Sequence, residues 1–380
     1  MSLRGGSSSR NALDVNVNNY DTGQKQISLD EATRLCMPPL SNESYKGSSG
    51  RIGVLGGSAQ YTGAPYYAAM SALKTGCDLA FVFCAEEAAV PIKCYSPELM
   101  VAPVYNAKAF DEQSGMESSS AEEEERKEIL IDEMVSRVTA YIPRMHCLIV
   151  GPGLGRCPLV MEAASRIIRA AIEQNLSIVI DADGLYMLSL TKYNNILDGM
   201  SDADCDTKRN VSKVVLTPNV VEFERLRKAF VVSNDGIDIE DKIAVAGMND
   251  LESEITSFRN TSLQHCAIIK KGFQDRIFVA NDSVSNIHRR VMICEEEGGQ
   301  KRSGGIGDVL AGATAAFVAW NTILDKDAAI ANDLLLSCWY ACCATKRATK
   351  RAFMRRKRAM TAPDILEEIG MVVDEMTSSY

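Results

Sequence analysis

The sequence has few histidines and no excess of positive charge. His146, His265 and His288 are the only three histidines. The twelve cysteines are scattered, and none forms a C-x-x-C pair. Zinc ligands need close spacing, so no zinc site is expected. Lys and Arg number 41 against 50 Asp and Glu, for a net charge of -9. That balance excludes a general binder of nucleic-acid backbones, and no nucleic-acid partner is expected. No apolar stretch approaches the ~20 residues that span a bilayer, so no membrane partner is expected. The longest stretches, such as 79–84 and 148–150, have the length of buried strands. No internal repeat is present. The N-terminus lacks the apolar core of a secretory signal. Several cysteines, among them Cys84 and Cys147, sit inside apolar strand-like runs, as buried reduced thiols of a cytosolic protein do. A cytoplasmic location is expected, with a mitochondrial form as the alternative because the first residues hold two arginines and several serines.

At 380 residues, 46% hydrophobic and 24% charged, the chain can bury a large core without staples. Residues 1–26 are polar and rich in Asn, Gly and Ser, and read as a disordered leader. Ser28 to Glu31 has the pattern of a capping box opening a short helix before Pro38. A regular alternation follows, read here as one domain over 27–372. Strands are predicted at 51–55, 77–84, 100–104, 147–150, 176–180, 214–216, 267–270, 276–280 and 291–294. Helices are predicted at 66–75, 86–94, 129–141, 158–174, 220–228, 308–320, 328–351 and after Pro363. An acidic insertion at about 111–128 reads as a solvated loop running into a helix, and 191–212 as a polar loop. Alternating strands and helices predict an α/β sandwich: a mostly parallel central sheet, helices on both faces, and an antiparallel edge from the late hairpin-spaced strands.

Ligands of such sheets bind at the carboxyl ends of the strands. Four segments there carry chemistry. In Ser303-Gly304-Gly305-Ile306-Gly307-Asp308 a glycine cluster runs straight into a long apolar helix. Free N–H groups at a helix start hold anions, and glycines let backbone approach a phosphate. Asp308 is placed to take a proton from a substrate hydroxyl, or else simply to cap the helix. No Gly-Lys-Ser/Thr follows, so this is not a P-loop, and no first βαβ unit precedes it, so it is not a dinucleotide fingerprint. Gly151-Pro152-Gly153-Leu154-Gly155 forms a tight turn after a strand. Asn219 and Glu222, three residues apart, either meet a ligand or form a helix cap. Asp181 and Asp183 either hold Mg²⁺ through waters or cap a turn.

Together these segments resemble the NAD(P)H-hydrate dehydratase family, whose carbohydrate-kinase-type domain has a ribokinase-like fold. The resemblance is carried in order by 47–58 (GSSGRIGVLGGS), 61–65 (YTGAP), 151–155 (GPGLG), 180–185 (IDADGL), 217–223 (TPNVVEF), 270–272 (KKG) and 304–312 (GGIGDVLAG). It implies a ribokinase-like three-layer sandwich and a repair reaction: phosphorylation of the C6 hydroxyl of hydrated NADH or NADPH (NADHX, NADPHX) from a nucleotide, then loss of phosphate. It implies Asp308 as the catalytic base and a substrate contact. Gly153, Asn219, Val220, Val221, Glu222, Phe223, Glu224 and Arg225 would hold the hydrated dinucleotide. Lys271, Gly272, Phe273, Gln274 and Asp275, with Gly299, Ser303, Gly304, Gly305, Ile306 and Gly307, would hold the nucleotide. Mg²⁺ is expected to arrive with the nucleotide, with no direct protein ligand assigned. ATP is expected as the donor rather than ADP, from likeness to the eukaryotic branch. Ile306 stands where relatives often carry a polar residue. The leader is too short for the epimerase domain some members carry, so that activity is not expected. The alternative within the same fold is a kinase of a small alcohol, a sugar or a hydroxymethyl-pyrimidine. A homo-oligomer is compatible with either.

Overall fold

The computed structural model describes residues 36–115, 120–198, 213–235, 250–280, 291–324 and 334–377. The expected leader, the helix opening at Ser28, residues 116–119 and 199–212, and Cys205 lie outside that range. Strands β1 (Arg51–Leu55), β2 (Leu79–Ala85), β3 (Met100–Tyr105), β4 (Cys147–Val150), β5 (Ser177–Ile180), β6 (Val214–Leu216), β7 (Ala267–Lys270), β8 (Asp275–Phe278) and β9 (Val291–Cys294) follow in chain order. Among the described residues they make one nine-stranded sheet, in the order β3-β2-β1-β4-β5-β6-β7-β8-β9. Strands β1 to β7 pair in parallel, and β8 and β9 close the edge antiparallel. Every residue of β4 and β5 is buried, as expected where helices cover both faces. The order reverses between β1 and β4, which opens a crevice beyond their carboxyl ends.

The helix Ile306–Leu324 is central to the core. Its residues Val309 through Trp320 are all buried, and it packs on β1, β4, β5 and the helix Gly63–Thr75. By length and composition it would suit a membrane span, although no apolar stretch of that length was expected from the sequence. A helix apolar all round and enclosed by protein is the other product of such a composition. Gly312 lets the two helices touch: a Cβ there would lie 2.1 Å from the Ala68 carbonyl oxygen. Ser71 Oγ donates to the Val309 carbonyl across the same contact at 2.7 Å.

Most predicted elements form, with shifted ends. The acidic insertion is more ordered than expected. Asn106 caps a helix at Ala107–Ser114, and Ser120 caps the next, Ala121–Thr139, by accepting from the Glu123 N–H at 3.3 Å. Glu122, Glu123 and Glu124 fall in the first turn, where negative charge meets the positive end of the helix dipole. The short helices Ala182–Leu188 and Asp250–Thr256 are additional. The helix expected from residue 328 is described over Leu334–Arg356, and residues 325–333 are not described. Of the described cysteines, Cys94 is exposed, Cys157 half-buried and the others buried, and none is in a disulfide.

Candidate active site

Three strand ends and two helix starts converge on a small charged centre. Asp181 ends β5 and is 2% exposed. Its Oδ1 accepts from the Lys271 ammonium at 2.8 Å and from the Thr217 hydroxyl, just after β6, at 2.8 Å. Lys271 ends β7 and reaches within 4.0 Å of Glu222, in the first turn of the helix Val220–Asp235. Gly307 lies directly over this pair, since a Cβ on it would sit 3.5 Å from Lys271 Nζ and 3.9 Å from Asp181 Oδ2. Asp308 is the next residue. Burial, with the Asp181 charge second, pushes its carboxyl up to about 7, against the pull of Lys271. Burial draws the Lys271 ammonium down, but Asp181 and then Glu222 outweigh it and hold it above its ordinary value. Burial also raises Glu222, against Lys271. One cation thus lies among three carboxyl groups, of which Asp308 is pushed up to about 7.

The glycine cluster before Asp308 combines a strained turn with an opening. Gly305 takes a φ of +88°, and a Cβ there would meet Ala362 at 2.7 Å and Tyr67 at 2.8 Å. Gly304 faces open space, with nothing within 4 Å of a Cβ. The Val309 N–H bonds to the Gly305 carbonyl at 3.0 Å, so the N–H groups of the preceding turn point out of the helix start. The Ser303 hydroxyl, beside that opening, is buried and has no hydrogen-bond partner among the described residues.

The other expected nucleotide residues divide. Phe273 is 78% exposed. Gly272 gives its N–H to Asp275 at 2.9 Å, so Asp275 holds the β7–β8 turn. Gln274 reaches Glu295 at 3.4 Å. Lys346, which the sequence did not single out, holds the same turn through the carbonyls of Gly272 and Phe273 and lies 3.4 Å from Asp275. Gly299 gives its N–H to Thr349 at 3.1 Å, and a Cβ there would lie 2.6 Å from the Thr349 carbonyl oxygen. Gly299 therefore docks its loop onto the helix Leu334–Arg356.

The expected substrate segment also divides. Asn219 and Glu222 form a reciprocal cap: Asn219 Oδ1 accepts from the Val221 and Glu222 N–H groups at 2.9 and 3.0 Å, and Glu222 accepts from the Asn219 N–H at 2.8 Å. The helix-cap alternative holds for both residues, and the cap leaves Glu222 within 4.0 Å of Lys271. Val220 and Val221 are exposed, at 53% and 69%. Phe223 is fully buried against Phe258 and Phe278, a core residue with no free face. Glu224 pairs with Arg227 at 2.8 Å. Arg225 lies over the Tyr186 ring. Gly153 takes a φ of +61° in the turn after β4 and packs on Tyr61.

Asp181 makes no side-chain cap to the helix Ala182–Leu188. Its part as the anchor of Lys271 was not legible from the sequence, because residues 90 apart become partners only through the sheet order. Among the described residues no group of three or more His, Cys, Asp or Glu side chains is arranged to hold a metal ion.

The family model described as NAD(P)H-hydrate dehydratase matches residues 52–370. The ATP-dependent (S)-NAD(P)H-hydrate dehydratase of Mus musculus is 34% identical over 343 residues, 90% of this chain and 83% of that protein. A ribokinase-like superfamily protein from Enterococcus faecalis superposes with a TM-score of 0.61 at 18% identity, covering 94% of this chain and 99% of the other. The ADP/ATP-dependent NAD(P)H-hydrate dehydratase of Bacillus subtilis, crystallised with ATP and Mg²⁺, gives 0.56 at 16% identity, covering 92% and 97%. The fold is ribokinase-like, and by sequence the chain belongs to the NAD(P)H-hydrate dehydratase family.

Proposed function

We propose that this chain is an ATP-dependent (S)-NAD(P)H-hydrate dehydratase, returning NADHX and NADPHX to NADH and NADPH. The observation that carries the reading is Asp308: a buried carboxyl near neutrality, at a glycine-rich helix start, beside the Lys271–Asp181 pair. In the first step the C6 hydroxyl oxygen attacks the terminal phosphorus of ATP. Asp308 takes the hydroxyl proton, and the bond to the ADP oxygen breaks. The helix-start N–H groups of Gly305 to Gly307 stabilise the charge on the transferring group. In the second step the ring nitrogen lone pair expels phosphate from C6. A proton leaves C5 and the C5–C6 double bond returns, so ATP and the hydrate become ADP, phosphate and the reduced cofactor.

The residues present fit Mg²⁺ carried by the nucleotide rather than a closed protein site. Asp181 is committed to Lys271 and Thr217, which leaves Glu222 and Asp308 as the carboxylates facing the opening. One or two carboxylates suffice for such an ion, which neutralises phosphate charge when bound. The reading carries a cytoplasmic location as a further expectation, to be checked by imaging the tagged full chain.

The test incubates purified protein with acid-hydrated NADH, ATP and Mg²⁺ and follows the absorbance of the reduced nicotinamide, with ADP in parallel. Recovery of the band with ATP and release of free phosphate is the expected result. Recovery with ADP alone would reverse the donor. A stable phosphoester on another alcohol, with no recovery, would sink the reading in favour of a small-alcohol kinase.

A further inference from the structure

A second charged group lies beside the catalytic centre, at the crevice where the strand order reverses between β1 and β4. Arg156 follows the turn Gly151–Gly155. Its Nε donates to Asp183 at 3.2 Å, and its guanidinium carbon lies 4.0 Å from the centre of the Tyr186 ring. Asp183 also accepts the Gly155 N–H at 3.0 Å, so one carboxylate fixes both the turn and the arginine. Arg225, from the helix Val220–Asp235, lies over the same ring at 5.6 Å. Two guanidinium groups thus lie over one tyrosine ring, and Asp183 holds the nearer of them.

The terminal amino groups of Arg156 make no hydrogen bond among the described residues, and Arg225 makes neither a hydrogen bond nor an ion pair there. The Ser58 hydroxyl, after β1, is buried without a partner and lies against Gly155, 3.5 Å from where its Cβ would be. In a chain of net charge -9, such a local surplus of aligned donors is arranged for an anion. The Tyr186 ring attracts both guanidinium groups, and guanidinium edges bind phosphate in paired hydrogen bonds. Arg225 stands one helical turn, about 5 Å, beyond Glu222, so the group lies within a dinucleotide's reach of Asp308.

We infer that Arg156, held by Asp183 and Tyr186, together with Arg225 over the same ring, holds a phosphate group of the hydrated dinucleotide. The inference rests on the proposed dehydratase reading and deepens it: Arg156 and Tyr186 carry no part in the family resemblance above. The phosphate is either the diphosphate bridge, common to both hydrates, or the 2′-phosphate that NADPHX alone carries.

The experiment replaces Arg156 and Arg225 singly by glutamine (R156Q, R225Q) and measures steady-state kinetics with NADHX and with NADPHX at saturating ATP. KM for the hydrate is expected to rise about tenfold or more in each, a typical cost for one charge-assisted hydrogen bond, while KM for ATP stays. Tyr186→Leu is expected to raise it in the same sense, and Tyr186→Phe, which keeps the ring face, much less. A rise for both hydrates assigns the diphosphate, and a rise for NADPHX alone assigns the 2′-phosphate. An unchanged KM for both hydrates, or a rise confined to ATP, overturns the inference. Calorimetric binding of NADPH and NADH, which carry the same phosphates, is read alongside and needs no turnover. Tenfold weaker binding by R156Q is expected. Equal binding by wild type and R156Q, or none by wild type, overturns the phosphate site whether or not the protein proves to be a dehydratase.

Discussion

At the scale of single residues, the behaviour of Asp308 follows from its place between a buried carboxylate and a buried cation. A base at about 7 must be deprotonated to act, so kcat/KM is expected to fall tenfold per pH unit below that value and to level off above it. The neighbours should move that limb in opposite directions. Removing the Asp181 charge (D181N) shifts it to lower pH, and removing the cation (K271M) shifts it higher. Two limbs that move together would show that these charges do not face the base. Asp308→Asn is expected to cut turnover by about a thousandfold and to keep the fold. It should also stabilise the protein. The native carboxyl is raised from 3.8 to about 7, so the stability it supports is full below the unfolded value and is lost as pH rises through 7. Thermal unfolding at pH 8 should show D308N more stable, by on the order of 1–4 kcal/mol, and a less stable variant would contradict the assigned burial. K271M, by contrast, strands Asp181 in the interior and should cost about 3 kcal/mol.

At the scale of elements, the start of the helix Ile306–Leu324 separates space kept for a ligand from space filled by packing. Gly305 has a positive φ and two side chains within 3 Å of a Cβ, so Gly305→Ala should destabilise the fold by several kcal/mol. Gly304 faces open space, so Gly304→Ala should leave the unfolding midpoint within about 0.5 kcal/mol but raise KM for ATP. Denaturation and steady-state kinetics on the two variants check this contrast. A G304A protein with unaltered KM would take the nucleotide away from that opening. The loop around Gly299 has a backbone tether to the helix Leu334–Arg356. Thr349→Val leaves the Gly299 N–H unpaired at a buried contact and should raise KM for ATP, with a loss of about 1–2 kcal/mol in stability. Periodicity made most elements legible, and the long apolar helix and the strands at 147–150 and 214–216 stand where the sequence put them. Element ends were less so, because side-chain caps set them. Ser120 starts its helix at Ala121, eight residues before the apolar pattern at Ile129 begins.

At the scale of the whole molecule, function depends on bringing distant strand ends to one edge of the sheet. The parallel run from β1 to β7 places residues 56–58, 151–156, 181–183, 217–225 and 271 along that edge, and the chain then returns to lay residues 304–308 across it. Binding that spans several elements should stabilise the whole chain by mass action. ATP with Mg²⁺ at a hundredfold its Kd is expected to add about 2.7 kcal/mol, seen as a raised unfolding midpoint, and the hydrate should add to it. An unmoved midpoint at saturating nucleotide would count against an ATP site on the folded chain.

The sequence by itself determined the class of fold, the positions of most strands and helices, the family, and the glycine-to-acid string that ends in Asp308. These are local: each rests on residues close in the chain, where period, caps and turn chemistry act. Only the tertiary structure decided what those residues do to one another. It turned Phe223 inward against Phe258 and Phe278, although its neighbours face the opening. It engaged the Asp275 carboxylate with the Gly272 N–H and the Gly299 N–H with Thr349. It joined Lys271 to Asp181, and stacked Arg156 and Arg225 on one tyrosine. The physical reason is common to all of these. Burial and charge proximity depend on which strand lies beside which, and a parallel sheet with a reversed order pairs residues that no local pattern connects.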